Sequence, residues 1–338
     1  QPDVLLCRGK NSINQKLKKK LALFTNVPEN AVFSAVDAES IYDIPILFRE
    51  QKIDELMLNQ FKLKSKRLNL SPWNNYRSKA GKCKKTVKIA MIGKYVDLAD
   101  SYKSLNEALY HAGIINNRLV EITYLDSEKI TKANVKKLKA MDGILVPGGF
   151  GNRGIEGKIL AAQYARINKI PYLGICLGMQ ISVIEFARNV LKLKNANSTE
   201  FNSKTKYPVV ALVDEWKDSS GKKIISDKKN MGGTMRLGSQ DCTLSKGSLA
   251  YKMYEKLAIN ERHRHRYEVN DSLLGLFDGS GLKFSGKSKK GNLMEMIELK
   301  GHPWYLGCQF HPEFTSSPIS GHPLFNGFIA ASKKKRKL

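Results

Sequence analysis

Long apolar runs are missing from this sequence of 338 residues. A helix that spans a membrane needs roughly 18 or more consecutive apolar residues. The most apolar stretch, residues 177–193, is interrupted by Glu185, Arg188 and Lys192. The sequence therefore predicts a soluble protein that has no membrane partner.

Cysteine pairs are missing as well. The five cysteines are odd in number and include no C-x-x-C pair: Cys7, Cys83, Cys176, Cys242 and Cys308. We expect neither a disulfide framework nor a zinc site, no metal in this chain, and a reducing, cytoplasmic setting. Residues 154–159 fail the spacing of a Walker-type phosphate loop, and we expect no such loop.

Acidic residues are scarce, with 31 Asp and Glu against 57 Lys and Arg, which gives a formal charge of +26. Such an excess is typical of proteins that bind nucleic acids or anionic surfaces. The basic residues are spread along the chain, and a short cluster, KKKRKL, occupies 333–338. We expect no specific nucleic-acid partner; a nucleic-acid binder that uses this tail is the non-catalytic alternative.

The first 85 residues predict an incomplete domain and a linker. Residues 1–61 contain two predicted strands and two predicted helices, with 40–61 helical and broken at Pro45. This is too little chain for a stable domain, so we expect it to complete a sheet that begins elsewhere. Residues 62–85 are rich in Lys, Ser and Asn without a sustained period, which predicts a linker.

The long segment 86–332 predicts an α/β domain. Strands alternate with helices of about 10–13 residues up to residue 200, which favours a mostly parallel sheet flanked by helices. Beyond residue 200 the strands are shorter and more antiparallel in pattern, including one predicted over 305–314. The basic tail at 333–338 follows this domain.

One cysteine lies in a setting typical of a catalytic nucleophile. Gly174, Cys176 and Gly178 form G-x-C-x-G between a predicted strand and a predicted helix, the arrangement of a nucleophile elbow. The helix N-terminus favours a thiolate, and the N–H of Leu177 could donate to an oxyanion. The alternative is a buried structural cysteine.

A thiolate nucleophile needs a base and a group that orients the base. His311 and Glu313 have i, i+2 spacing, which places both on one face of an extended chain. Gly149 follows another predicted strand and could supply a second oxyanion N–H. The alternatives are a surface histidine and a solvated glutamate.

Two further segments carry charge near glycine. In ERHRHRYEV, residues 261–269, His263 and His265 lack a third metal ligand, whereas an arginine could pair with a substrate carboxylate. The glycine-rich MGGTMRLG, residues 231–238, suits either a mobile lid or an ordinary hairpin connection.

Six motifs together resemble the CTP synthase family, whose glutaminase half is a class I glutamine amidotransferase. They occur in the order PGGFG, GICLGMQ, NANSTEF, GGTMRLG, ERHRHRYEVN and QFHPEF. QPDVLL and VPENAVFSAVDAESIY resemble the end of the synthetase (amidoligase) domain. The resemblance implies a flavodoxin-like glutaminase domain over 86–332, preceded at 1–61 by a remnant of an α/β P-loop-type synthetase domain whose earlier part would precede Gln1.

This resemblance implies glutamine hydrolysis through a γ-glutamyl thioester on Cys176. His311 would be general base and then acid, and Glu313 would orient it. The implied oxyanion and glutamine contacts are Gly149, Leu177, Gly178, Met179, Gln180, Glu200 and Arg266. Glu200 suits the substrate ammonium and Arg266 its carboxylate.

The resemblance also implies nucleotide partners. The intact enzyme would use ATP, with Mg²⁺, and ammonia to convert UTP to CTP, and GTP would activate it; no cofactor is bound covalently. Lys20 matches a UTP/CTP phosphate contact, Ala38 an ATP adenine contact, and Lys103, Phe150 and Arg236 elements of GTP activation.

The intact enzyme is expected to be a homotetramer, and this chain alone at most a glutaminase. The alternatives are another class I amidotransferase or triad hydrolase, or a truncated non-catalytic fragment.

Overall fold

The chain is described by a computed structural model that covers residues 1–65, 68–94, 99–212, 215–217, 223–225, 235–289 and 293–335. It divides into two compact units, Gln1–Gly81 and Lys82–Leu338. Within the described ranges, no helix combines the length and the apolar character needed to cross a membrane.

The described residues of the first unit form two parallel strands and four α-helices. Strands β1 (Leu5–Gly9) and β2 (Val32–Val36) pair in parallel register. The helices are α1 (Gln15–Thr25), α2 (Ile44–Glu50), α3 (Ile53–Gln60) and α4 (Ser71–Lys82). Its small apolar core includes Ala22, Val27 and Val32.

Two features of this unit differ from the sequence-based prediction. The helical stretch breaks at Lys52, where φ is 61°, and not at Pro45. Pro45 lies in the first turn of α2, where a missing N–H is tolerated. Helix α4 occupies part of the predicted linker because its aromatic side chains anchor it: Trp73 donates to the Tyr42 carbonyl at 2.6 Å, and Tyr76 is buried.

Over the ranges that the structure describes, a nine-stranded sheet forms the centre of the second unit. Its order is β12-β11-β14-β15-β16-β6-β5-β3-β4, and two smaller sheets have the orders β13-β8-β7 and β10-β9. The strands are β3 (Thr86–Gly93), β4 (Leu119–Asp126), β5 (Gly143–Val146), β6 (Tyr172–Ile175), β7 (Asn197–Ser198), β8 (Pro208–Leu212), β9 (Glu215–Lys217), β10 (Lys223–Ile225), β11 (Arg236–Leu244), β12 (Ala258–His265), β13 (Tyr267–Val269), β14 (Leu282–Ser288), β15 (Met294–Leu299) and β16 (Tyr305–Cys308).

Helices cover both faces of this sheet. They are α5 (Lys103–Ile115), α6 (Ile155–Ile167), α7 (Leu177–Asn189), α8 (Leu249–Tyr254) and α9 (Pro323–Lys335). Along β3, Val87, Ile89 and Met91 pack in one apolar cluster with α5 and α9. Ala90 and Ile92 belong to the opposite cluster, with α6 and α7. This alternation follows from the two-residue period of a strand, so the predicted sheet flanked by helices is confirmed.

The sheet is parallel from β16 to its edge strand β4 and antiparallel on the other side of β16. Strands β16, β6, β5, β3 and β4 run parallel, while β15, β14, β11 and β12 extend the sheet in antiparallel fashion. The antiparallel character predicted for 305–314 was wrong in part, since β16 ends at Cys308 and runs parallel to β6. Residues 281–288 fit the letters of the Walker pattern, against the expectation above, but they form β14 and its first flanking residue, not a phosphate loop.

Candidate active site

The Cys176 backbone makes a sharp turn between β6 and α7. Its φ of 51° and ψ of −103° are rare for a residue with a side chain. A Cβ atom at Gly178 would collide with the Val146 carbonyl oxygen, and one at Gly174 with the backbone of Gly178. The two glycines of G-x-C-x-G therefore permit the close backbone approach that this turn requires.

Cys176 lies at the carboxyl end of the parallel strands. Its N–H donates to the Cys308 carbonyl at 2.7 Å, and Ile175 is the register partner of Cys308. Residues that follow β6 and β16 consequently meet at one edge of the sheet. This is the edge at which open α/β sheets generally bind ligands.

His311 and Glu313 form a bonded pair just beyond β16. His311 Nδ1 lies 2.7 Å from Glu313 Oε1, and both side chains are largely buried. The i, i+2 argument assumed an extended chain, but Pro312–Phe314 form a 3₁₀ turn. Burial lowers the pKa of His311, but Cys176 and Glu313 outweigh burial and raise the pKa to about 10.

A glycine that sequence reasoning missed adjoins both the cysteine and the histidine. A Cβ atom at Gly148 would lie 2.8 Å from His311 Cε1 and 3.5 Å from the Cys176 Cβ. At Gly149 it would lie 3.5 Å from Leu177 Cδ2. The loop between β5 and α6 and the first residue of α7 thus lie close together beside Cys176. The signal was present in PGGFG, where only the second glycine received a role.

A charged cluster adjoins this loop. Glu200 Oε1 accepts a hydrogen bond from the Gly151 N–H at 2.7 Å. Burial raises the pKa of Glu200, although Lys94, Arg266 and Lys158 oppose the rise. The predicted partners of the two charged ends of glutamine, Glu200 and Arg266, therefore interact electrostatically in one region.

Lys158 is a buried cation that the sequence did not reveal. Only 1% of it is exposed. Burial, with smaller contributions from Lys94 and Arg153, lowers the pKa of Lys158 to about 8, against the attraction of Glu200. A lysine on an amphipathic helix normally faces solvent, so this burial depends on tertiary packing.

The first turns of α7 place one hydrogen-bonding side chain, Gln180, and one buried apolar side chain, Met179, near the site. Gln180 Nε2 donates to the Tyr267 carbonyl at 2.7 Å and to Gln309 Oε1 at 3.2 Å. The Met179 side chain is fully buried in the core, and its backbone N–H donates to the Cys176 carbonyl. Gly178 lies against Val146.

Comparisons with known proteins agree with this geometry. The family model for glutamine amidotransferase class-I matches residues 97–331, and the model for the CTP synthase N-terminus matches residues 1–63. The glutaminase domain of Trypanosoma brucei CTPS, solved with bound acivicin, is 40% identical. That alignment covers 74% of this chain and 94% of the other, with a TM-score of 0.67. The chain belongs to the CTP synthase family.

The assignment to the CTP synthase family does not depend on two more distant structures. A glutamine amidotransferase from Methylobacillus flagellatus is 11% identical, covers 68% of this chain and 70% of its own, and has a TM-score of 0.40. One from Thermotoga maritima is 12% identical, covers 74% and 98%, and has a TM-score of 0.41.

The family assignment separates this chain from other class I amidotransferases, because residues 1–63 match the N-terminal part of CTP synthase. The chain is accordingly a CTP synthase-type glutamine amidotransferase that carries the glutaminase half. The alternatives of another class I amidotransferase or triad hydrolase, and of a truncated non-catalytic fragment, are not favoured.

The residues predicted for GTP activation occupy different settings in this family member. Lys103 is exposed at the start of α5, 3.8 Å from Glu107, and Phe150 is exposed beside Gly149. Arg236 is instead buried, with hydrogen bonds to Glu268 at 2.6 Å and Glu295 at 2.9 Å. It begins β11, and residues 231–234 of the predicted lid lie outside the described residues.

The residues predicted for the synthetase remnant lie in the first unit. Ala38 lines a cavity of about 430 Å³, together with apolar side chains such as Ile41, Ile44 and Phe48. Lys20 is exposed on α1, with its Nζ 5.9 Å from the Phe24 ring centroid. The basic tail is described only to Lys335, where α9 ends.

Proposed function

We propose that the second unit hydrolyses glutamine to glutamate and ammonia through a γ-glutamyl thioester on Cys176. The observation that carries the proposal is the contact between the side chains of His311 and Cys176 beside Gly148, with Glu313 bonded to Nδ1 of the imidazole. A cysteine, a base and an orienting carboxylate are the three parts that nucleophilic catalysis needs.

The first half of the reaction forms the thioester. The raised pKa of His311 favours an imidazolium beside a thiolate. The Cys176 thiolate attacks the carboxamide carbon of glutamine, and the N–H groups of Gly149 and Leu177 stabilise the oxyanion. The oxyanion then collapses, the C–N bond breaks, and His311 gives its proton to the departing ammonia.

The second half regenerates the enzyme. Neutral His311 takes a proton from water, and the hydroxide attacks the thioester carbon. The tetrahedral intermediate collapses with cleavage of the C–S bond, which releases glutamate and restores the thiolate and the imidazolium. Throughout, Glu313 keeps Nδ1 bonded, so that Nε2 is the nitrogen that exchanges protons.

Glutamine is held by its charged ends. We assign its ammonium to Glu200 and its carboxylate to Arg266, which are close enough to interact electrostatically. When the ammonium binds, it would compete with the Gly151 N–H for the Glu200 carboxylate. The backbone around Gly178, Met179 and Gln180 lines the remaining side.

The proposal extends to the intact cytoplasmic homotetramer, in which ammonia aminates UTP to CTP at the expense of ATP. The cavity at Ala38 fits an adenine ring in size and apolar character. Lys20 is assigned to a UTP or CTP phosphate, and Lys103, Phe150 and Arg236 to activation by GTP. No cluster of three His, Cys, Asp or Glu side chains suited to a metal occurs among the described residues, so no step is assigned to Mg²⁺.

The test is glutamate release from glutamine by the purified chain in the presence of GTP. We expect Cys176→Ala to lower the rate by more than about a thousandfold. Cys242→Ala removes another buried thiol, on β11, and should retain activity. Equal rates for native protein and Cys176→Ala would exclude Cys176 as nucleophile. A folded native chain that releases no glutamate would contradict hydrolysis by this chain.

A further inference from the structure

A buried carboxamide lies beside the nucleophile. Gln309 follows directly after β16 and is completely buried. Its Nε2 donates a hydrogen bond to Cys176 Sγ across 3.6 Å. A carboxamide in this position costs free energy unless its polar atoms are bonded, so the contact with sulfur is part of what makes Gln309 tolerable here.

The orientation of this carboxamide follows from a chain of hydrogen bonds. Gln180 Nε2 donates to the Tyr267 carbonyl, which can only accept. The same nitrogen faces Gln309 at 3.2 Å, so the Gln309 atom opposite it must be the oxygen. The Gln309 nitrogen consequently points at the sulfur. The Tyr267 carbonyl thereby fixes which end of each glutamine amide is the nitrogen and which is the oxygen.

Backbone hydrogen bonds between strands fix the positions of Gln309 and Cys176. The Gln309 N–H donates to the Glu295 carbonyl at 2.8 Å, and the Cys176 N–H donates to the Cys308 carbonyl at 2.7 Å. Backbone pairing of neighbouring strands therefore sets the position of the amide relative to the sulfur. The rigid strands β15, β16 and β6 form the support, and no exposed loop is involved.

We propose that Gln309 is a positioning residue that stabilises the Cys176 thiolate through its side-chain N–H and directs the sulfur toward the substrate carbon. This inference rests on the proposed function of Cys176. His311 and Gln309 then both contact the Cys176 sulfur, but only one of them exchanges its proton. His311 gives up its proton during each turnover, whereas the amide of Gln309 remains a donor at every stage. Hydrogen bonds to a charged acceptor are stronger than those between neutral groups.

The surroundings of Cys176 hold several titratable groups among the described residues. Burial lowers the pKa of His263 and of His265, and the charge of His311 lowers both further. Cys176 interacts with His311, which carries Glu313 on its other nitrogen, and with Cys308. Burial raises the pKa of the Cys308 thiol, so Cys308 stays neutral and does not compete as a nucleophile. An effect of Gln309 on the Cys176 thiolate can therefore be measured without interference from the Cys308 thiol.

The test is alkylation of Cys176 by iodoacetamide across pH, followed by mass spectrometry of the peptide that contains Cys176. Gln309→Met keeps the length and burial of the side chain but removes the donor. We expect the midpoint of the pH–rate profile to rise by about one pH unit, with about a tenfold loss of rate at every pH below the native midpoint. For glutamine, kcat should fall about tenfold while KM changes less than threefold.

Gln240→Met, the same change on β11, should leave the alkylation profile unchanged. A Gln309→Met profile that coincides with the native one would overturn the proposal. If that variant fails to fold, Gln309→Glu replaces the donor with a carboxylate and should raise the midpoint further. A crystal structure of the unmodified chain with Gln309 Nε2 more than 4.5 Å from Sγ would overturn it without any variant.

The two proposals fail separately. Alkylation follows the thiol whether or not glutamine is hydrolysed. Hydrolysis that persists in Cys176→Ala would exclude the proposed function. An unshifted Gln309→Met profile, with hydrolysis lost in Cys176→Ala, would exclude only the role of Gln309.

Discussion

Cys176 has a backbone conformation that most residues avoid. A φ of 51° with a ψ of −103° costs on the order of 1–3 kcal/mol, which the surrounding structure must offset. Here the offset comes from α7, whose residues from Leu177 to Ala187 are almost all buried. The strained turn places the sulfur within 3.6 Å of Gln309 Nε2, so the same conformation that costs stability positions the proposed nucleophile.

Lys158 gives a pH-dependent prediction. Its pKa is about 8 in the folded chain and 10.5 in a model peptide. Below pH 8 both states are protonated, and the cost of burying the charge is fully present. Between pH 8 and 10.5 the folded state releases the proton first, so its free energy of unfolding rises with pH. Lys158→Met should therefore be roughly 3 kcal/mol more stable than the native chain at pH 7.

Urea unfolding at several pH values checks this. The advantage of Lys158→Met should shrink toward zero above pH 10, because the native lysine is then neutral. Lys256→Met, at an exposed position, should show no such trend. An advantage that is constant from pH 7 to pH 10.5 would mean that burial of the charge is not the cause.

The residues of the site were only partly predictable. The spacing of G-x-C-x-G and of His311 with Glu313 pointed to the chemistry, because short motifs fix local geometry. Gln309 lies two residues from His311, but its significance depends on Gln180 and Cys176, which are more than 120 residues away. No local pattern encodes such a contact. The roles of the site residues stay predictions until activity is measured.

At the scale of elements, β11, β13 and β15 are joined by one buried guanidinium. Arg236 donates to Glu268 and Glu295, and all three side chains are at most 3% exposed. Burial raises the pKa of both carboxyl groups, and the charge of Arg236 opposes that rise. The side chain thus links the central sheet to the smaller sheet that contains Tyr267.

Arg236→Met should destabilise the chain by about 3–5 kcal/mol near pH 8, because two buried carboxylates lose their partner. At pH 5 the loss should be smaller, since carboxyl groups of raised pKa take up protons and become neutral. Chemical unfolding monitored by circular dichroism measures both values. Arg264→Met, at an exposed position on β12, is the matched control, and an equal loss in the two variants would contradict the role of the buried pair.

Elements were predictable where burial is uniform along the chain. Strands β3, β5 and β6 are apolar runs, and β5 and β6 end in glycine-rich turns, which made the parallel sheet recognisable. Strand β16 was less so: its four residues pair with β6. Three of the four also pair with β15, so the direction of β16 depends on residues that are 8 to 133 positions away. Helix α4 was missed because two aromatic contacts, and not a periodic apolar face, hold it.

At the scale of the whole molecule, the positive charge has no single focus. The net charge of +26 is distributed over both units, and the amidotransferase assignment leaves no need for a nucleic-acid partner. We expect any binding to a random DNA duplex to fall at least about a thousandfold between 50 and 200 mM salt, as counterion release predicts.

A fluorescence titration with two unrelated duplexes at each salt concentration checks this. Both duplexes should bind equally at every concentration. A preference of more than tenfold for one of them at 200 mM salt would show sequence recognition, which distributed lysines do not provide.

The pairing of Cys176 with Cys308 has a consequence for the order of events on the ribosome. The nucleophile leaves the exit tunnel long before β16, His311 and Gln309 are translated. Until β16 docks beside β6, Cys176 lacks its backbone partner, its amide donor and its base. A nascent chain interrupted before residue 305 therefore carries an unactivated thiol. If Cys176 is the nucleophile as proposed, we expect half-made protein to release no ammonia from glutamine, because the parts of the site are far apart in the sequence.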